Sequence, residues 1–367
     1  MPIPLRILHV YKDYAPVFGG IENHIQMLAQ AQAVQGHQVT ALVTNPGGRP
    51  SQEDDAGVTV IRARRLATVA STPLSLDLSR QLAGLQPDVT HLHFPYPIGE
   101  ISQLWAGRKR PYTITYHSDV VRQQAILRFY GPFLRRVLRG AGRIIVSSRP
   151  YIESSPWLRP YSDKCVVIPF GLDVERFGAA RPLIPPAAVP TILFLGRHRY
   201  YKGVDDLIRA MAQVPARLLI GGDGPMRVEW ERLVEALDLD GRIQFLGDIP
   251  DADLPAFYAS GDIFALPANS RAEAFGIVLQ EAMAAGLPCV TTELGTGTSC
   301  LVQDGVSGFV VPPRQPERLA GVLNHLLADP DLRQQMGQAG QRRARQEFTI
   351  AHMTASIENV YRQLIDD

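Results

Sequence analysis

The sequence contains few cysteines and no apolar run long enough to cross a membrane. Cys165, Cys289 and Cys300 are odd in number and widely spaced, which excludes a disulfide framework and the usual spacing of a zinc site. A membrane-spanning helix needs about 18 or more predominantly apolar residues, and no segment approaches this. Residues 1–10 lack the apolar core and cleavage site of a signal peptide. We therefore predict a protein of a reducing compartment, cytoplasmic or peripheral on the inner face of the membrane.

Net charge is also nearly absent, but the two halves of the chain differ. The formal charge is +1 over 367 residues. Residues 1–171 carry 19 Lys and Arg against 11 Asp and Glu, whereas residues 172–367 carry 18 against 25. Such an asymmetry concerns partners and not the fold, and it favours an anionic surface as a partner of the first half.

Short apolar, β-branched runs alternate with segments of helical length throughout the chain, which predicts parallel sheets covered by helices. The runs lie at residues 6–10, 38–44, 58–62, 89–93, 112–116, 143–147, 191–195, 217–220, 243–246, 263–266, 288–292 and 308–311. The Pro-rich segment 178–190 is typical of a linker. The sequence thus predicts an α/β protein with two doubly wound, Rossmann-like domains. Ligand is expected outside the carboxyl ends of the strands and in the cleft between the domains.

Two carboxylates, Glu273 and Glu281, bracket the start of a short apolar helix predicted at residues 277–285. Glu273 lies on the entering loop and Glu281 about one turn into the helix. Free N–H groups at a helix N-terminus favour phosphate or sugar oxygens, and carboxylates accept hydrogen bonds from vicinal hydroxyls. This arrangement suits a nucleotide sugar.

Two further loops carry candidate ligand groups. Arg197 and Lys202 follow the strand predicted at residues 191–195 and precede a helix, a pattern that predicts a clamp for a diphosphate. Gly19 and Gly20 follow the first strand and open a helix, so their backbone is able to approach a phosphate or a sugar.

Histidines and paired aspartates raise the question of a metal. His91 and His93 share one face of a strand, but no third ligand is placed by the sequence, which favours core or cleft-lining histidines. Three Asp-x-Asp triplets begin at Asp238, Asp251 and Asp329, where aspartate is expected for helix capping. We predict no metal site and no cofactor.

Six segments, in order along the chain, resemble the signatures of the family 4 retaining glycosyltransferases of GT-B fold, and the likeness runs from Ile7 to about Ala351. They are VIPFGLD at 167–173, FLGR at 194–197 with Lys202 and Gly203, GDGP at 222–225, EAFG at 273–276, EAMAAGLP at 281–288 and DGVSGFVVPP at 304–313.

The resemblance implies a domain organisation and a set of roles. It implies an acceptor-binding domain at 1–177, the linker at 178–190, a nucleotide-sugar domain at 191–350 and a helix at 351–367 that returns to the first domain. Metal-independent transfer of a hexose with retention is implied. His117, Arg197, Lys202 and Glu273 are the predicted catalytic residues, and Glu281 would take the ribose hydroxyls. The other predicted donor contacts are Gly19, Gly20, Gly222, Ile249, Asp251, Phe275, Gly276 and Ile277.

The donor is indicated only weakly. The segment 246–251 resembles the stretch beside the nucleotide base, where the Ile249 backbone would read the base edge and Asp251 would accept from a guanine N–H. Residues 294–299, LGTGTS, resemble mannosyltransferases of bacterial lipid-linked glycan assembly. GDP-mannose is the first choice, and a UDP-hexose with a soluble acceptor is the alternative.

Residues 122–143 form an Arg-rich stretch with apolar residues at helical spacing. Such a helix is expected on an anionic membrane surface, beside a polyprenyl-linked glycan or glycolipid acceptor. The alternative is a helix buried on one face with a solvated basic face. No nucleic-acid recognition motif accompanies the basic residues.

Other functions are less consistent with the sequence. A nicotinamide dehydrogenase would carry Gly-x-Gly-x-x-Gly after the first strand, and this chain does not. A nucleotide-sugar 2-epimerase of the same fold is not expected to carry the Glu273–Glu281 segment. A non-catalytic, two-lobed sugar-binding receptor would need an export signal.

Overall fold

The structure is a computed structural model. It describes residues 3–17, 19–69, 72–107, 110–119, 124–178 and 180–366, with the backbone alone at 124–129. The chain forms two compact units. The first contains Met1–Ser147, Ile152–Gly171 and Ile350–Asp367, and the second contains Ser148–Tyr151 and Leu172–Thr349.

The strands fall into one large sheet in each unit and a small separate hairpin. Their bounds are β1 (Arg6–Val10), β2 (Gln38–Asn45), β3 (Ser51–Asp55), β4 (Val58–Arg64), β5 (Ala67–Val69), β6 (Thr72–Leu74), β7 (Val89–Phe94), β8 (Tyr112–Tyr116), β9 (Arg143–Val146), β10 (Cys165–Val167), β11 (Thr191–Leu195), β12 (Arg217–Gly221), β13 (Ile243–Gly247), β14 (Ile263–Leu266), β15 (Cys289–Thr292) and β16 (Gly308–Val311).

Helices connect these strands and cover the sheets. Their bounds are α1 (Gly20–Val34), α2 (Leu76–Gly84), α3 (Pro97–Ala106), α4 (Gln124–Gly140), α5 (Arg149–Ser154), α6 (Val204–Ala210), α7 (Arg227–Ala236), α8 (Leu254–Tyr258), α9 (Ile277–Ala284), α10 (Thr298–Leu301), α11 (Pro316–Ala328), α12 (Pro330–Glu347) and α13 (Ile350–Asp366).

The first sheet has the order β10-β9-β8-β7-β1-β2-β4-β3, and only β3 runs antiparallel to its neighbour. Its central strands are buried along most of their length because helices cover both faces. Strand β7, for example, is buried at every position. The C-terminal helix α13 packs on α1 within this unit and buries Ile357 and Tyr361.

The second sheet has the order β13-β12-β11-β14-β15-β16 and is parallel throughout. Strands β11 and β14 are buried at every position. The Pro-rich segment before β11 belongs to this unit and is hydrogen-bonded to it. Leu183 donates its N–H to the Ala256 carbonyl, and the Ile184 N–H reaches the Ser260 hydroxyl at 3.0 Å.

The predicted fold class, two doubly wound Rossmann-like domains, is confirmed in each unit. The predicted strand at 58–62 extends to Arg64, and the polar strand β3 was not predicted. Within the part of the chain that the structure describes, no helix combines the length and the apolar character needed to cross a bilayer.

Helix α4 buries part of the apolar face that was predicted to lie on a membrane. Leu134, Val137 and Leu138 are fully buried, whereas Arg136 and Arg139 are exposed. These three residues therefore belong to the core of the first unit, whereas Phe133 is exposed and the side chains at 124–129 lie outside the described part. Membrane contact of this helix stays a prediction. A solvated basic face remains. Arg122 lies outside the described residues, and so does the Arg128 side chain.

Candidate active site

The second unit has its topological switch point between β11 and β14, where the strand order reverses. Ligands of doubly wound sheets bind outside the carboxyl ends of the strands at such a point. Lys202 lies in the loop that follows β11, and Glu273 lies in the loop that follows β14. Two predicted catalytic residues thus flank the expected position of a ligand.

Lys202 and Glu273 form a buried ion pair. The Nζ–Oε2 distance is 2.6 Å, and each residue is 8% exposed. Burial alone lowers the pKa of Lys202, but the charge and hydrogen bonding of Glu273 outweigh it, so that the pKa is raised above 10.5. The ammonium group is therefore kept charged in a poorly solvated position beside the Glu273 carboxylate.

Gly203 allows this loop to approach the end of β14. Its φ of +67° lies in the left-handed region, and a Cβ there would overlap the carbonyl oxygen of Pro267. The Asn269 N–H donates to the Tyr201 carbonyl at 2.9 Å and joins the two loops. The glycine thereby places Lys202 beside the loop of Glu273.

Arg197 lies on the same loop as Lys202 but is exposed. Over the described ranges, no ion pair of Arg197 is found. The structure therefore pairs Lys202 with Glu273 and leaves Arg197 in solvent at the edge of the sheet. Its place in a diphosphate clamp stays a prediction.

Helix α9 begins at Ile277, as predicted, after Gly276 with a φ of +88°. Its first N–H groups follow Phe275, which is 4% exposed. Glu281 lies in the second turn, and its Oε2 accepts a 2.6 Å hydrogen bond from the Tyr258 hydroxyl. Burial raises the pKa of Glu281, and the hydrogen bond from Tyr258 opposes that shift. Tyr258 thus positions the carboxylate predicted to take the ribose.

The N–H of Gly222 is used within the protein and is not directed at a donor. That N–H donates to the Gly247 carbonyl at 2.7 Å, and a Cβ at Gly222 would overlap the Gly196 carbonyl. Its φ of +101° also favours glycine. Gly222 therefore lets the ends of β11, β12 and β13 approach one another.

The residues predicted to read the base lie after β13. Asp251 is exposed and forms an ion pair with Arg176 at 2.8 Å. Ile249 is partly buried, and its side chain lies close to Gly221. A guanine N–H would have to share Asp251 with Arg176, so this contact also stays a prediction.

In the first unit, Gly19 and Gly20 lie at the start of helix α1. Gly19 caps the helix in an extended conformation, and its carbonyl accepts the Asn23 N–H at 2.9 Å. A Cβ at Gly19 would overlap the Glu22 carboxylate, which lies 3.8 Å from Lys12. The Glu22 carboxylate thus lies against Gly19, whereas a Cβ at Gly20 would meet nothing within 4 Å, and the contact of both glycines with a ligand stays a prediction.

His117 belongs to a cluster of five buried histidines. His9 and His91 are register partners on β1 and β7, His93 follows on β7, and His24 is on α1. Burial lowers the pKa of all five imidazoles, to about 4 for His9 and about 3 for His24.

The cluster supplies the third imidazole that the sequence did not place beside His91 and His93. Two triads bring ring nitrogens within 4.8 Å of one another, His9–His91–His93 and His24–His93–His117. Most of these nitrogens are already hydrogen-bonded within the protein, as described below, so the geometry does not by itself indicate a metal.

Comparison with known proteins shows the family of this chain. Residues 18–176 match the model of Glycosyltransferase Family 4, and residues 182–343 match that of Glycosyl transferases group 1. The chain is 34% identical over 375 residues to O-antigen chain mannosyltransferase C of Escherichia coli, covering 99% of each chain. The chain belongs to the family 4 glycosyltransferases.

Two further proteins are similar to this glycosyltransferase, one in sequence and one in fold. It is 34% identical over 356 residues to D-rhamnosyltransferase WbpZ of Pseudomonas aeruginosa, covering 94% of this chain and 92% of that protein. Its fold is similar to that of sucrose-phosphate synthase from Thermosynechococcus elongatus, with a TM-score of 0.80 at 23% identity over 98% and 99% of the two chains. The predicted GT-B fold is confirmed.

Some residues of the glycosyltransferase site could not be found by sequence reasoning. Tyr258 lies 23 positions before Glu281 and belongs to no motif. His9 and His24 belong to no recognisable motif. Only the parallel register of β1 and β7 places His9 beside His91. His198, next to Arg197, is fully buried and packs on Trp230 with ring centroids 4.8 Å apart.

Proposed function

We propose that this glycosyltransferase transfers mannose from GDP-mannose to a lipid-linked glycan, with retention at the anomeric carbon and without a metal ion. The observation that supports this best is the buried Lys202–Glu273 pair at the switch point of the second unit. It offers a charged ammonium for a diphosphate and a carboxylate for sugar hydroxyls in one place.

The proposed chemistry needs no protein nucleophile. The leaving phosphate helps to deprotonate the acceptor hydroxyl on the same face of the sugar, so the configuration is retained. Lys202 and Arg197 stabilise the charge that develops on the diphosphate, and the N-terminus of α9 adds its free N–H groups. Glu273 holds the sugar hydroxyls together with the Phe275 and Gly276 amides. Rate enhancement comes from orientation and charge stabilisation.

The names of the relatives support a sugar of the manno series. One relative is a mannosyltransferase and the other a D-rhamnosyltransferase. D-rhamnose is 6-deoxy-D-mannose, so these two sugars differ only in the hydroxyl on carbon 6. Arg176 and Asp251 beside Glu281 are the groups from which we infer a guanine nucleotide.

A donor panel tests this assignment by thermal shift. At about 100 times its dissociation constant, GDP-mannose is expected to raise the Tm by about 5 °C or more, and UDP-glucose by much less. The panel should contain GDP, UDP and both sugar nucleotides, with Asp251→Ala as the variant that weakens GDP selectively. A larger shift with UDP than with GDP reverses the choice of base.

The proposed acceptor is a glycan on an anionic membrane surface. The first half of the chain carries the excess of positive charge, and α4 exposes Phe133, Arg135, Arg136 and Arg139. Leu134, Val137 and Leu138 of α4 are buried, so we expect the attraction to come mainly from the basic face. We propose that Gly19, Gly20 and His117 meet the sugars while the lipid part of the acceptor stays in the bilayer.

Liposome co-sedimentation tests the membrane contact. Binding is expected with anionic lipid and is expected to fall with salt, because the Debye length shrinks from about 10 Å at 0.1 M to about 3 Å at 1 M. Arg136→Glu with Arg139→Glu should weaken binding about tenfold or more. Arg232→Glu with Arg318→Glu, the same charge change at exposed sites of the second unit, is the control. Equal recovery in the supernatant with and without anionic lipid would leave a soluble acceptor.

A further inference from the structure

The buried histidines of the first unit are joined in a continuous hydrogen-bonded chain. Gln32 Oε1 lies 2.8 Å from His9 Nε2, His9 Nδ1 lies 3.0 Å from His93 Nε2, and His93 Nδ1 lies 3.1 Å from His117 Nε2. The four residues come from α1, β1, β7 and the end of β8. None of them is more than 5% exposed.

Each imidazole in this chain is neutral at physiological pH, because burial lowers the pKa of His9, His93 and His117. A neutral imidazole has one N–H donor and one acceptor nitrogen. Once one ring in the chain is assigned, the tautomers of the others are determined. The chain therefore has a single direction along its whole length.

Gln32 sets that direction. Its carbonyl oxygen accepts only, so His9 must carry its proton on Nε2 and accept on Nδ1. His93 then donates from Nε2 and accepts on Nδ1, and His117 donates from Nε2. The Gln32 amide is held by its other end, since Nε2 donates to the Tyr361 hydroxyl at 3.3 Å. Tyr361 in turn reaches His91 Nδ1 at 2.6 Å, and His91 Nε2 reaches Thr115 at 2.6 Å.

We propose that Gln32, held by Tyr361 of the C-terminal helix, fixes His117 as the Nε2–H tautomer through His9 and His93, so that Nδ1 of His117 is presented as a hydrogen-bond acceptor. Gln32, His9, His93 and Tyr361 are then positioning residues. Resting on the proposed function, the acceptor nitrogen suits a sugar hydroxyl, which donates to it, and does not suit a phosphate oxygen.

A metal ion is the competing use of the same residues. In the chain, His93 Nδ1 already accepts a hydrogen bond, and Nε2 of His93 and of His117 each carry an N–H, so Nδ1 of His117 is the one nitrogen of these two rings with a lone pair left for a metal. His24 is the exception, because both of its ring nitrogens are buried without a hydrogen-bond partner among the described residues. The positive end of α1, where His24 lies in the second turn, disfavours a cation.

The tautomers are measured directly by long-range 1H–15N NMR on protein labelled with 15N-histidine, assigned by single His→Gln variants. The expected result is Nε2–H for His9, His93 and His117, unchanged between pH 6 and 8. The Nδ1–H tautomer at His117, a cationic ring in the chain, or one equivalent of metal retained by the purified protein would each overturn the proposal. No turnover is needed, so this result is independent of the proposed function.

Variants test the origin of the tautomer. Gln32→Met keeps the volume but removes both ends of the amide, and it should give a mixture of His117 tautomers; Tyr361→Phe should do so partly. Thr115→Val removes only the hydrogen bond between His91 and Thr115, and it should leave the tautomer of His117 unchanged. In the transferase assay, Gln32→Met should lower kcat/KM roughly two- to tenfold, the effect of about one hydrogen bond. A single wild-type tautomer at His117 in Gln32→Met would contradict the proposal, with thermal unfolding as the check on folding.

Discussion

Replacing Lys202 with alanine is expected to lower turnover about 100-fold or more, the usual loss for one preorganised group that stabilises developing charge. The ammonium is buried, charged and 2.6 Å from Glu273, so water cannot replace it effectively. The measurement is kcat for release of nucleoside diphosphate from the sugar nucleotide.

The matched control for this prediction is Arg209→Ala. It removes one exposed cation from α6, the helix that follows Lys202, and it should leave kcat unchanged. Glu273→Ala should also be strongly impaired, since it removes the predicted contact to the sugar hydroxyls. Near-wild-type turnover in both Lys202→Ala and Glu273→Ala would contradict the assignment of this site.

The same ion pair is expected to have a large effect on stability. Lys202→Met leaves the Glu273 carboxylate buried without its partner and should lower the free energy of unfolding by about 3–5 kcal/mol. Glu273→Gln should also destabilise, because the Lys202 ammonium is left buried. The double variant removes both charges and should be closer to the wild type than either single variant. Urea denaturation of the four proteins measures the coupling.

The pH dependence of this coupling has a definite sign. The pKa of Lys202 is raised in the folded protein, so its contribution is fully present below its ordinary value of 10.5 and is lost as the pH rises through the raised pKa. The coupling should therefore be the same at pH 7 and pH 9. Additive losses in the double variant would show that the two residues do not stabilise each other.

The fold was predictable where apolar runs and strands coincide. The strands at 6–10, 112–116 and 191–195 have the predicted bounds, because helices on both faces make such strands apolar along their length. Strand β3 was not predictable in this way. Its sequence SQEDD is exposed at four of five positions, and it is recognised only by its antiparallel pairing with β4.

Helix α4 shows why a periodic apolar pattern does not identify its partner. The spacing of Leu134, Val137 and Leu138 predicts one apolar face equally well for a lipid surface and for a protein core. The structure buries these three residues in the core, and Arg135, Arg136 and Arg139 are exposed. Only the packing of the first unit decides between these two uses.

The candidate site was partly predictable. Motif spacing places Lys202, Glu273 and Glu281 on loops and a helix start, and the structure brings Lys202 and Glu273 together. Contacts between distant segments could not be read from spacing, since they depend on strand order. Tyr258 on Glu281 and Tyr361 on His91, 270 positions apart, are of this kind.

The most direct test of the proposed activity is to incubate the protein with GDP-mannose and a lipid-linked glycan acceptor and to identify the products by NMR. We predict release of GDP together with an α-mannoside, which has the anomeric configuration of the donor, and a loss of both signals in Lys202→Ala. A β-mannoside would contradict retention. No GDP release from GDP-mannose, or equal release by wild type and Lys202→Ala, would contradict the donor site itself.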